Sequence, residues 1–378
     1  MAAAGMVSCS STYSRSADGL VIVPSTGSAV VQAFSFNLSS GSSSTINTSP
    51  PISGNPLGVV IDPAGAYAYI ATGAGISAFS IHSDGTLSAV GSVTANAVAM
   101  TMDTAGKFLF VASGLSGTVS SFSISNGALT PVSTSPTLTA ATLPNLAALA
   151  VTPLSFPAMN TASGALNSVC AGLPNPANEY LYAVDSQNNV VWQFNVDSSG
   201  NLTQPSSAQS FATGQVPAGI AVDSCDRFVY VSNSRIPTIS AYAICNDSIA
   251  SPCPNPVTTP QDGHLVPLAT TSLGAGASQP GAVVVDPLAR YLYVADSAAN
   301  KLFGFRLSQA TGTLTSFVAV NTDSVPVSVA IRSDAMWMFV TNYGSGTVSE
   351  FAIAPATGTL TQEAPITTDN NPYGVAVK

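Results

Sequence analysis

The feature that most constrains this chain is a unit of four short strands that recurs along its length. Its clearest copy spans residues 325 to 361, where three alternating apolar runs lie at 327–331, 336–341 and 347–353. Turns at Ser333 and Asp334 and at 342–346 separate them, and a turn at 356–358 leads into a fourth run at Thr359. Period-two alternation bounded by Gly, Asn, Asp and Ser marks antiparallel strands joined by tight turns. Each unit predicts one small sheet.

The first-strand signal returns at Pro56, Ala97, Leu146, Pro217, Pro280, Pro326 and Pro372, and the second-strand signal at Ala68, Phe108, Tyr180, Phe228, Tyr291 and Trp337. A four-stranded unit repeating every ~40–50 residues predicts a propeller. The last copy, 372–378, has no partners after it, whereas runs at 20–24, 29–36 and near Thr45 supply three strands with no first strand before them. Joining the two ends in one blade closes a ring and leaves only short, protected sheet edges. The expected fold is therefore an all-β, seven-bladed propeller over residues 18–378, with a tail at 1–17.

Phe339 to Asn342, followed by Gly344, Gly346 and the run Ala356-Thr357-Gly358-Thr359-Leu360, resembles the YVTN-type repeat of the seven-bladed propeller lactonase family, which includes 6-phosphogluconolactonase-like proteins. Weaker copies at 293–296 with 310–314, and at 69–72 with 83–87, extend the resemblance over most of the chain. The resemblance implies the ring and an active-site entrance on the face of the second-to-third turns. It leaves the activity open, because one propeller scaffold carries many functions.

Charged residues make up 7% of the chain, against about a quarter in typical domains. With a formal charge of -9 and nine Lys and Arg, the chain has no basic stripe, which argues against nucleic acid as a partner. A surface dominated by small uncharged residues suits an extracytoplasmic protein. Met6-Val7-Ser8-Cys9 resembles the end of a bacterial lipoprotein signal, with Cys9 as the lipidated residue. The alternative is an unstructured tail with a free thiol. Any membrane association is expected only through that anchor.

The other four cysteines are expected to pair as Cys170 with Cys225, which occupy equivalent first turns of adjacent blades, and Cys245 with Cys253, which close a small loop. Of three possible connectivities this one has a geometric argument. Both long insertions, 153–179 and 245–264, fall on the face opposite the entrance. They suggest a docking surface for a protein or cell-surface polymer, or for a second copy of this chain.

At the entrance, Asn55, Asn96, Asn145, Gln279 and Asn371 precede the first strands, while Asp185, Asn233, Asp296 and Asn342 end the second strands. Arg235, Lys301, Tyr343 and Tyr373 lie nearby. Amides at turns usually cap unusual backbone; the functional alternative is a ring binding a small polar ligand. Lactone hydrolysis needs a base and an oxyanion partner. The candidates are Asp185 or Asp296 as base and Arg235 or Lys301 as electrophile. His82 and His264 fall in peripheral turns, and Asp62, Asp103, Asp223 and Asp286 end first strands as turn formers. No metal or cofactor motif is present. The residues favour a non-catalytic binding or interaction module; the alternative is a lactonase-like hydrolase acting on a sugar lactone.

Overall fold

The computed structural model describes residues 19–48, 52–114, 116–136, 138, 140, 142–153, 170, 178–205, 210–245 and 263–378. The expected tail with Cys9, and Cys253, lie outside them. Seven sheets form the ring. Blade 1 joins Gly19–Ser25, Val30–Phe36 and Ser43–Thr48 to the C-terminal Ala376–Val377, which pairs antiparallel with the first of these. Blades 2 to 7 begin with the inner strands Pro56–Ile61, Ala99–Met102, Leu146–Val151, Pro217–Val222, Pro280–Val285 and Pro326–Ile331. Each then steps outward through three further strands. The shared blade seals the ring as the repeat register requires.

The inner strands end in a common device. Asp62, Asp103, Asp223 and Asp286 each accept two backbone N–H bonds, from the residues four and five positions later, at 2.5–2.8 Å. One carboxylate oxygen thus fixes the turn into the second strand. In blades 5 and 6 the carboxylate also takes an Arg. Arg227 and Arg290 pair with Asp223 and Asp286 and donate onward to the carbonyls of Gln309 and Pro355 in the next blade.

Blade packs on blade through a repeated contact. The turn from third to fourth strand holds a glycine with positive φ at Gly41, Gly85, Gly127, Gly200, Gly263, Gly312 and Gly358. Each is pressed against a large side chain of the preceding blade: Trp337, Leu20 and Ile46, Tyr67, Phe108, Tyr180, Phe228 and Tyr291 respectively. A Cβ at any of these seven glycines would lie 2.3–2.9 Å from that neighbour, inside van der Waals contact. Above this contact, Tyr182, Tyr230 and Tyr293 donate their hydroxyls to the carbonyls of Gly263, Gly312 and Gly358.

Blade 3 has Phe110 in the tyrosine's place, and there the cross-strand neighbour Ser121 donates to the carbonyl of Gly200 at 2.6 Å. Blade 7 has Phe339, and its cross-strand neighbour is Glu350, which is fully buried. Burial pushes this carboxyl up to about 7; the Ser43 hydroxyl draws it back in part and Glu363 adds to the rise. Glu179, between blades 3 and 4, is pushed up to about 8, by burial first and by Asp103 second.

Cys170 and Cys225 form a disulfide with Cα atoms 5.4 Å apart, tying the long excursion of blade 4 to the first turn of blade 5. Cys245 is also disulfide-bonded, to a partner outside the described residues. Among the described residues no helix is long and apolar enough to cross a membrane.

Two tests follow from the blade contacts. Gly358→Ala, at φ 74° with the Tyr291 ring 2.6 Å from its Cβ, is expected to cost roughly 1–3 kcal/mol in urea unfolding. Gly73→Ala, whose Cβ would meet nothing within 4 Å, should be near neutral. For Glu350, a folded-state pKa above the ordinary 4.5 means that the folded chain binds the extra proton. Its stabilising contribution is complete below pH about 4.5, falls as pH rises and is gone above about 7. Glu350→Gln should remove that decline from a melting-temperature series between pH 4 and 8.

Candidate functional site

The entrance face is tied together by buried polar ends of the second strands. Asp185 is wholly buried and accepts from the backbone N–H groups of Asn145, Gln187 and Asn188, and from the Asn188 amide and the Trp192 indole. Asp296, equally buried, accepts from the backbone of Ser278, Gln279 and Ala299 at 2.7–2.9 Å. Asn233 and Asn342 hold the same place in blades 5 and 7. Their side-chain amides donate to Ser240 and Ser349, whose hydroxyls accept the N–H groups of Gly214 and Asp323 in the connections between blades.

These four residues staple the second strand, the third strand and the incoming connection to one another. Asp185 and Asp296, the two carboxylates expected to offer a catalytic oxygen, are thus fully buried and engaged by these donors. Asn342 likewise leaves the proposed amide ring for the interior. One test separates the roles. Asp296→Ala is expected to lower stability by roughly 1–3 kcal/mol by stripping buried donors of their acceptor. Lost turnover at unchanged stability would return this carboxylate to catalysis.

The remaining candidates spread over the rim. Asn55, Asn96, Asn145 and Gln279 are exposed, and Asn145 donates to the Ser186 hydroxyl. Asn371, at φ 60°, donates to the carbonyl of Tyr343. Arg235 is exposed on its turn and Lys301 is half-buried at the start of a third strand. None of these lines the channel cavity. His82 bonds Ser88 on the exposed outer edge, while His264 packs edge-on against Phe211, where burial lowers its pKa.

The channel itself holds a cavity of about 420 Å³, within the ~300–1,000 Å³ of small-molecule pockets. Its walls are the entrance-side halves of the inner strands, and small residues such as Gly58, Ala148, Gly219, Ala282 and Gly374 recur in them. Among the described lining residues, Tyr373 is the one ionisable side chain, and the Ser297 and Ser328 hydroxyls are the other side-chain polar groups. Tyr373 stacks edge-on against Tyr343 with ring centroids 6.1 Å apart. No cluster among the described residues could hold a metal ion.

Outside blade 3, whose Ala99–Met102 strand pairs without a skip, the inner strands share an irregularity at this level. Their pairing to the second strands skips one residue at Leu57, Ala147, Ala218 and Val327, and one of the pair Gly281 and Ala282. In blade 1, the step from Pro372 to Ala376 opposes the shorter step from Ser25 to Ile22. A bulge leaves its extra residue outside the ladder and re-aims the strand. These bulges surround the cavity. The sequence reading missed them, although a Pro followed two residues later by Gly, Ser or Ala starts four of these strands and was the available signal.

Comparison with known proteins agrees with this ring. The family model described as Lactonase, 7-bladed beta-propeller matches residues 99–250 and 256–377. A candidate 6-phosphogluconolactonase from Bacteroides fragilis superposes with a TM-score of 0.74 at 20% identity, over 96% of this chain and 98% of that one. The Pseudomonas aeruginosa periplasmic gluconolactonase PpgL superposes with a TM-score of 0.71 at 17% identity, over 95% and 98%. A Lactobacillus plantarum protein gives 0.75 at 15% identity, over 96% and 99%. At these identities the likeness is one of fold. No curated protein matches the sequence.

Proposed function

This chain belongs to the seven-bladed β-propeller lactonase family, and from that premise we propose that it is a lactone hydrolase whose site is the entrance-side cavity of the channel. The observation that carries the reading is a pocket of ligand size at the ring axis with Tyr373 at its edge. In the reaction, water adds to the lactone acyl carbon, the ring C–O bond breaks, and the departing alkoxide takes a proton. A hydroxycarboxylic acid results. Charge develops on the carbonyl oxygen, and a positioned phenol stabilises it by donating a hydrogen bond. We assign this role to Tyr373, the phenol among the described lining residues, whose ring contacts Tyr343 edge-on.

The product is an anion in a cavity whose described lining residues include no cationic side chain. An unpaired charge is poorly tolerated there, so the product leaves more readily than the neutral substrate. The docking role expected from the stapled insertions draws on loops outside the described residues, and family membership favours the hydrolytic reading over it.

Tyr373→Phe is expected to lower lactone turnover ~10²-fold, the scale of a lost oxyanion donor, with the melting temperature unchanged. Arg235→Ala, on an exposed turn away from the cavity, should leave turnover within about twofold, as surface changes remote from a site do. A stopped-flow pH-indicator assay measures both. Full activity in the Tyr373 variant would refute the assignment.

A further inference from the structure

We infer that this site recognises its ligand through the main chain of the bulged inner strands, and that the ligand is an uncharged, hydroxylated lactone rather than a phosphorylated one. The inference rests on the cavity being the site, as proposed above, and adds what the cavity accepts. The inner strand of each blade is a sheet edge, paired on one side only, so its free row of N–H and C=O groups faces the channel. At Leu57, Ala147, Ala218 and Val327 the bulge withdraws a further residue from the ladder. Gly58 and Ala148 beside two of these positions leave that main chain open to the cavity, whereas at the join of blades 5 and 6 the Ser232 hydroxyl already accepts the Gly219 N–H and donates to the Gly281 carbonyl.

Such a wall offers neutral donors and acceptors from several directions. Hydroxyl groups can meet both kinds. A phosphate dianion instead needs Arg, Lys or a helix N-terminus to offset its desolvation, and the described lining residues supply none of them. The rim cations Arg235 and Lys301 are not among the residues lining the cavity. The connections between blades at the same end place the carboxylates of Asp323 and Asp369 there, where each accepts a hydroxyl from Thr347 or Ser28. With a net charge of -9, the field also opposes an anion.

Gly58 provides a direct handle. It lines the cavity, and a Cβ built on it meets nothing within 4 Å. Gly58→Leu therefore fills the cavity from its wall without displacing the packed blades.

The experiment compares hydrolysis of glucono-1,5-lactone with that of its 6-phosphate, and calorimetric binding of 1,5-anhydroglucitol, which has no ester to cleave, with that of its 6-phosphate. The expected result is a preference for the neutral member of each pair of on the order of 10²-fold or more, the scale of an uncompensated buried charge. Gly58→Leu should abolish binding with an unchanged melting temperature. Equal or stronger binding of the phosphates overturns the inference and leaves the hydrolase reading standing. Binding of 1,5-anhydroglucitol without turnover of either lactone refutes hydrolysis and keeps the recognition site. If neither 1,5-anhydroglucitol nor its phosphate binds, the inference fails.

Discussion

The ring depends on one contact made seven times, a positive-φ glycine of one blade pressed onto a large side chain of the blade before it. Each sheet is too small to be stable alone, and its faces must be buried against neighbours. The glycine lets a tight third-to-fourth turn approach its neighbour closely, since a Cβ would overlap the partner by more than packing can absorb. Tyrosines, and Ser121 in blade 3, then convert the same approach into a hydrogen bond to a turn carbonyl. The contact between Gly41 and Trp337 spans the join between blade 7 and the blade shared by both termini. Closure thus uses the same chemistry as every other step around the ring.

Polar side chains divide into two populations once the ring is formed. Those at the ends of the second strands, Asp185, Asn233, Asp296 and Asn342, are fully buried and bound to backbone N–H, amide or hydroxyl partners. They hold the entrance face rigid. Among the described residues, the cavity inside that face is lined with glycine, alanine and aliphatic residues, two serines and a single phenol. Its chemistry follows from geometry more than from functional groups, and a neutral ligand fits it better than an ion.

Much of this was legible in the sequence because propeller architecture is periodic. The inner-strand signal at Pro56 through Pro372 gave blade number and closure, and the aspartates ending those strands could be recognised as turn formers from position alone. The pairing of Cys170 with Cys225 follows from their equivalent places on adjacent blades, and the structure contains that bond. The site was harder to find. Asp185, Asp296 and Asn342 share a position that a linear reading puts at the entrance, and only the fold shows that they point into packed structure. The bulges escaped because a skipped pairing depends on two strands at once. A cavity walled by backbone carries little sequence signature, since Gly and Ala there look like packing residues.

The most direct test of the account is a crystal structure of the full chain soaked with 1,5-anhydroglucitol. It predicts density within the channel, bounded by Leu57, Ala147, Ala218 and Val327, with the sugar hydroxyls on main-chain groups and Tyr373 at its edge. Density instead on the opposite face, beside the Cys170–Cys225 bridge, or on the rim amides with the cavity left empty, would contradict it.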